Sequence, residues 1–140
     1  MDALVIGVPG ACLNLSPLEA RAHEGLGWLA TAMYEVGSIS GSFLTDLIPG
    51  RVEGRWVGKF SDQLEGMHKS LSGDACLYTS DDDLRVGLTC TERGKLQGRV
   101  EVRLHAPGDA RNGILSFNVN LDQSYLPQMI SAVRKNFPGL

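Results

Sequence analysis

Side chains able to do chemistry are few in this chain, and their spacing does not assemble a reaction. The three histidines, His23, His68 and His105, have no Cys, Asp or Glu at zinc-ligand spacing, and neither Cys-x-x-Cys nor His-Glu-x-x-His occurs. Asp81, Asp82 and Asp83 are consecutive at an expected hairpin tip. A calcium loop needs carboxylates alternating with a glycine and a closing Glu, so the triplet reads as a solvated turn or as a contact for a basic partner surface. Gly41-Ser42-Phe43 is no nucleophile elbow, and Ser70, Ser72 and His68 merely share a helix end, which leaves acyl-transfer chemistry without support. Among 17 glycines no Gly-x-Gly-x-x-Gly or Gly-Lys-Ser/Thr run opens a helix after a strand, so no nucleotide site is indicated. The expectation is a protein with no catalytic residue, no metal and no cofactor.

What the polar residues do instead is alternate. Ala75, Leu77 and Thr79, then Leu84, Val86, Leu88 and Cys90, then Val100, Val102 and Leu104, then Leu115, Phe117, Val119 and Leu121 mark the core side of four strands. Arg85, Gly87, Thr89, Glu101, Arg103, Ser116, Asn118 and Asn120 fall between them. A period of two with one apolar side predicts an antiparallel meander over 74–122 with a polar outer face. Matching apolar to apolar pairs Leu77 with Val86 and Ala75 with Leu88. A turn around Gly94 then pairs Leu88 with Val102 and Val86 with Leu104, and a loop from Ala106 to Gly113 pairs Leu104 with Leu115 and Val102 with Phe117. On the outer face this sets Tyr78, Arg85 and His105 in one row, Cys76, Gly87, Arg103 and Ser116 in the next, and Thr89, Glu101 and Asn118 in a third.

Two helices flank the meander. Phe60, Leu64, Met67 and Leu71 share one helical face over about 57–71, with Gly73 as the C-cap. Tyr125, Leu126, Met129, Ile130, Val133 and Phe137 form the stripe of a last helix over about 125–137. Ser124 is its expected N-cap, Pro127 lies in its first turn, and Arg134 and Lys135 suit its C-terminal dipole. Before them, Ala3–Val8 and Ala11–Leu15 read as strands around Pro9-Gly10, and Ser16–Gly27 as a polar connection. Trp28–Val36 and Phe43–Leu47 read as strands joined through Gly37–Gly41, although Leu26, Leu29, Met33 and Val36 also make a helical stripe. The resulting fold class is α+β, a curved antiparallel sheet of six to seven strands with two main helices. It forms a single domain over 1–140, with amino-terminal strands over 1–50.

A chain of 140 residues can bury a core without staples. Its three cysteines cannot all pair, and the alternation puts Cys76 and Cys90 on opposite faces, so reduced thiols are expected. Asp2 and the absence of Lys or Arg before the first apolar run argue against an export signal, and no run approaches a membrane span, so the reading is cytoplasmic, with no membrane. A net charge of −3 argues against a nucleic-acid partner.

The second half, from Phe60, Leu64 and Leu71 through Ser72-Gly73-Asp74-Ala75, the Leu84–Cys90 hairpin strand and Gly98–Leu104 to Phe117-x-Val119-x-Leu121-Asp122-Gln123-Ser124-Tyr125-Leu126, resembles WapI-type bacterial immunity proteins and related small families of unknown function. The resemblance covers roughly 57–137 and implies a non-enzymatic protein that binds and neutralises a cognate toxin, usually encoded beside it. The surface expected to do so holds Tyr78, Asp81, Asp82, Asp83, Arg85, Glu101, Arg103, His105 and Asn118, because Arg and Tyr most often anchor interfaces. Two other readings stand beside it: a small ligand-binding domain with a pocket between sheet and helix, and a homodimer that uses the edge or the polar face for structure or regulation.

Overall fold

The computed structural model describes residues 3–21, 27–48, 50–52, 55–80, 82–91, 94–104 and 113–140. Asp81, His105, His23 and most of the Ala106–Gly113 loop therefore lie outside the described residues. In chain order the elements are β1 (Leu4–Val8), β2 (Ala11–Arg21), β3 (Gly27–Val36), β4 (Ile39–Ile48), β5 (Gly50–Val52), β6 (Arg55–Gly58), α1 (Phe60–Ser70), β7 (Gly73–Thr79), β8 (Leu84–Cys90), β9 (Lys95–Leu104), β10 (Gly113–Asp122) and α2 (Leu126–Asn136). A single 3₁₀ turn, Gln123–Tyr125, leads from β10 into α2.

Eight strands, not six or seven, form one antiparallel sheet in the order β1-β2-β3-β4-β7-β8-β9-β10, because both amino-terminal hairpins extend the meander. The stretch around Trp28 is strand, as the alternation predicts, and β3 turns directly into β4 with Val36 opposite Ile39. The expected polar connection after Leu15 is corrected. β2 continues to Arg21, with a bulge between Pro17 and Glu19 where a proline without an N–H can sit. The polar link before the first helix holds a separate two-stranded hairpin, β5–β6, so α1 starts at Phe60 and not near Val57.

The two halves of the sheet meet along a short seam. Among the described residues only Leu47 with Thr79 and Ile48 with Tyr78 pair β4 to β7. Around it, the Ser80 N–H donates to the Asp46 carbonyl at 3.0 Å, and the buried Thr45 hydroxyl donates to Asp83 Oδ1 at 2.7 Å. Thr79, also buried, donates its hydroxyl to the Leu84 carbonyl at 3.2 Å. Two β-branched polar residues at a sheet junction are thus satisfied locally, which removes the cost of burying them. From this seam the sheet curls until β10 comes within contact of β1 and β2.

Inside the curl the alternation holds. Leu4, Ile6, Leu13, Leu15, Ala30, Ala32 and Leu47 from the first half meet Ala75, Leu77, Leu84, Val86, Leu88, Cys90, Val100, Val102, Phe117, Val119 and Leu121 from the second. Phe60, Leu64 and Met67 from α1, and Leu126, Met129, Ile130, Val133 and Phe137 from α2, complete the core. The Trp28 indole packs edge-on against Phe137 at 5.9 Å and donates to the Pro138 carbonyl at 3.0 Å, tying the end of α2 to β3.

Three expectations about the helices need correction. Leu71 is 45% exposed; it sits in the left-handed conformation just beyond α1, its N–H on the Met67 carbonyl, so the left-handed residue that ends this helix is Leu71 and not Gly73. Tyr125 is exposed and not in the buried stripe, because the 3₁₀ turn rotates it outward. Ser124 is not the N-cap. Asp122 caps the turn by accepting from the Ser124 N–H at 2.7 Å.

The register of β7 on β8 is as expected, Leu77 with Val86 and Ala75 with Leu88. Those of the later hairpins are not. Leu84 pairs with Val102, Val86 with Val100 and Leu88 with Gly98, while β10 places Leu115 on Val102 and Phe117 on Val100. The reason is Gly98, which occupies a core-side position: a Cβ there would lie 2.5 Å from Leu88 Cδ2 and 3.1 Å from the Gly87 carbonyl oxygen. The glycine makes room for the leucine, and it also interrupts the apolar series that sets register in the sequence, hiding Leu96 as the true start of β9's buried side.

Gly98→Ala is therefore expected to lower stability by ~1–3 kcal/mol through overpacking. Gly87→Ala, on the outer face with nothing within 4 Å of the new methyl, should leave stability unchanged or raise it by up to ~1 kcal/mol. Urea unfolding of both variants measures the contrast; equal effects would contradict the assignment of faces.

Candidate functional site

The outer face of β8, β9 and β10 is built by the residues between the core positions. Its rows are Arg85–Glu101–Ser116, Cys76–Gly87–Arg99–Asn118, and Asp74–Thr89–Gln97–Asn120, with Arg103 beside Ile114 at the next position. Because both register differences are an even number of residues, every side chain keeps its expected face while its row neighbours change. Arg103 is not beside Gly87, and Glu101 is beside Arg85 and not Thr89.

Arg99 is the residue that sequence reasoning missed. It occupies the middle of the face, donates through Nε to Glu101 Oε1 at 3.0 Å and reaches the Ser116 hydroxyl at 3.4 Å. Counting back by two from Arg103 and Glu101 would have placed it there; beginning the alternating series at Val100 left it out. Beside Arg99, Gly87 leaves a notch open to solvent.

A second group of charges stands at the β7–β8 turn. Arg85 makes a two-pronged contact with Asp82, Nε to Oδ1 at 2.7 Å and Nη2 to Oδ2 at 2.9 Å, and Arg103 Nη2 lies 3.5 Å from the same carboxylate. Asp82 holds φ 55°, a left-handed backbone that aspartate tolerates better than most residues. The Arg85 hydrogen bond is the main cause that holds the Asp82 carboxyl below its usual range, with the charges of Arg85 and Arg103 adding to it; the same contact raises Arg85. Asp83 is engaged by Thr45, and its carbonyl accepts from the Arg103 N–H at 2.9 Å.

The structure thus brings Asp82, Arg85, Glu101 and Arg103 together, with Asn118 next to Arg99. Tyr78 lies nearer the seam, half-buried, opposite Ile48. Burial, helped by the Cys76 thiol, pushes its phenol up to about 12, so it stays a neutral hydroxyl at every physiological pH. The arginine side chains remain open to solvent, 62% exposed for Arg85 and 61% for Arg99. The amino-terminal strands extend the sheet and do not fold over this face.

A model of the immunity protein WapI-like family matches residues 57–137, from the end of β6 to just past α2. This chain belongs to the WapI-like immunity protein family. The matched segment contains α1, the whole β7–β10 meander and α2, and hence every residue of the charged face. No curated protein and no solved structure matches the chain.

Among the described residues no three His, Cys, Asp or Glu side chains gather as metal ligands, and no helix is long and apolar enough to cross a membrane. Cys12, Cys76 and Cys90 are free thiols. Between β1 and α2 lies a cleft of about 180 Å³ lined by Leu4, Val5, Tyr125, Gln128 and Met129.

The Asp82 contacts carry a definite pH sign. A carboxyl lower in the folded than in the unfolded chain stabilises fully above its ordinary 3.8, and that contribution is lost as pH falls through the lower, folded value. Solvent screening of this exposed group limits it to under ~1 kcal/mol. Asp82→Asn should be less stable than the parent by that amount at neutral pH, and the difference should shrink below 3.8 and disappear once the pH is below the lower, folded value. Parallel urea titrations at both pH values check it; a difference that persists in acid would place the effect elsewhere than in the charge.

Proposed function

We propose that this WapI-like protein neutralises a cognate toxin by binding it through the outer face of β8–β10 and covering its active or substrate site. The observation that carries the reading is the set of three exposed arginines, Arg85, Arg99 and Arg103, each held by an acidic neighbour, Asp82 or Glu101, on a rigid sheet. Side chains already ordered before binding lose less entropy when a partner arrives, and arginine is among the residues that contribute most at interfaces. The open notch at Gly87 lets a protruding partner side chain reach the backbone between Arg99 and Cys76. The mixture of signs favours orientation of one partner over general attraction of any acidic or basic surface.

Occlusion needs no catalytic group. The work is done by area, shape and charge placement, and the toxin is inhibited for as long as its substrate is excluded. Tyr78 and Asn118 supply neutral hydrogen-bonding groups at the margins of the arginine cluster. Asp83 acts one step removed, since its carboxylate and carbonyl fix the turn that presents Asp82.

Co-expression with the product of the neighbouring upstream gene tests this. The parent protein should co-purify with that product and rescue growth. Arg99→Glu combined with Arg103→Glu should weaken capture about tenfold or more, while its melting temperature moves by about 2 °C or less, as expected for exposed substitutions. Undiminished capture by the double variant would remove this face from the mechanism; absence of any complex with the parent would remove the toxin reading.

A further inference from the structure

A groove lies between the two helices, away from the charged face. α1 and α2 run antiparallel, with the Ser61 N–H on the Leu140 carbonyl at 3.2 Å near the start of α1 and Glu65 opposite Arg134 further along. Lys69 and His68 from α1 and Arg134 and Lys135 from α2 form its walls, and Pro127 and Ile130 contribute an apolar floor. Its volume is about 630 Å³, and it is widely open to solvent.

We propose that this groove is a docking site for an acidic protein segment, one that carries carboxylates on both sides of an apolar side chain. Three fixed cations, Lys69, Arg134 and Lys135, line it in a chain whose net charge is −3, so its local field opposes that of the whole protein. Glu65 is the one carboxylate among the described lining residues. It accepts from Arg134 and lies 3.5 Å from Lys69, which holds both cations over the floor. The pairing with Arg134, above all, keeps the Glu65 carboxyl below its usual range. A widely open groove admits a protein segment more readily than it encloses a metabolite. Charge complementarity selects carboxylates for the walls, and Ile130 with Pro127 selects an apolar residue between them. Single-stranded nucleic acid is the poorer fit, because no Phe, Tyr or Trp is among the described lining residues for base stacking and Glu65 would face the phosphates.

The probe is a blocked peptide with a leucine flanked on each side by glutamates, titrated into the ¹⁵N-labelled full chain. Saturable shifts are expected at the amides of Lys69, Ser131 and Lys135, and none of comparable size on the outer face of β8–β10. Binding should weaken with added salt, and by about tenfold in Lys69→Gln combined with Lys135→Gln. Ser131→Asp, which adds a carboxylate at an exposed position in the groove, should weaken it in the same direction. A matching peptide with glutamine for glutamate should not bind. Absence of saturable shifts, equal binding of the glutamine peptide, or tighter binding of inorganic phosphate or of a thymidine oligonucleotide would overturn the assignment.

Discussion

The physical constraint on which this molecule rests is the two-residue period of its curled sheet. Each strand of the meander has one side that must leave water and one that need not, and the cost of exposing a core strand's apolar side fixes which is which. Leu84, Val86, Leu88 and Cys90 on β8, with Val100 and Val102 on β9, are all nearly inaccessible, while Arg85, Thr89, Arg99 and Arg103 between them are exposed. The same burial that stabilises the fold therefore assembles the charged face. Nothing about that face has to be specified separately.

Curvature follows from where the sheet is weakest. Among the described residues two pairs connect β4 to β7, and the hydroxyls of Thr45 and Thr79 satisfy the turn beyond them. A longer, straighter pairing would give a flat sheet with two exposed edges, a liability for aggregation. Instead the ends curl toward one another and α2 packs into the interior, against β1, α1 and Trp28 of β3. The Thr45–Asp83 contact thus links curvature to the charged face, since it fixes the turn in which the preceding residue, Asp82, holds Arg85 and Arg103.

Local chemistry explains how much of this is legible in the residues alone. Alternation is strong in β7 and β8, and there both face and register can be read correctly. On β9 the face is legible and the register is not, because Gly98 stands in a core position to accommodate Leu88 and looks like a strand boundary. The displacement is even, so the polar face survives while its neighbours are reassigned and Arg99 emerges at its centre. Leu71 satisfies helical periodicity yet lies beyond the end of α1, where a left-handed residue turns it outward. The groove between α1 and α2 could not be found at all. Its walls come from segments more than fifty residues apart, Glu65 and Arg134 among them, and only packing brings them together.

The most direct test of the inside–outside assignment uses thiols the protein already has. Cys76 is partly accessible and shares the outer row with Arg99, whereas Cys90 is 4% exposed on the core side of the adjacent strand. Native-state alkylation followed by peptide mass spectrometry should label Cys76 and leave Cys90 untouched until denaturant is added. Labelling of Cys90 at the rate of Cys76 under native conditions would contradict the phasing, and with it the charged face.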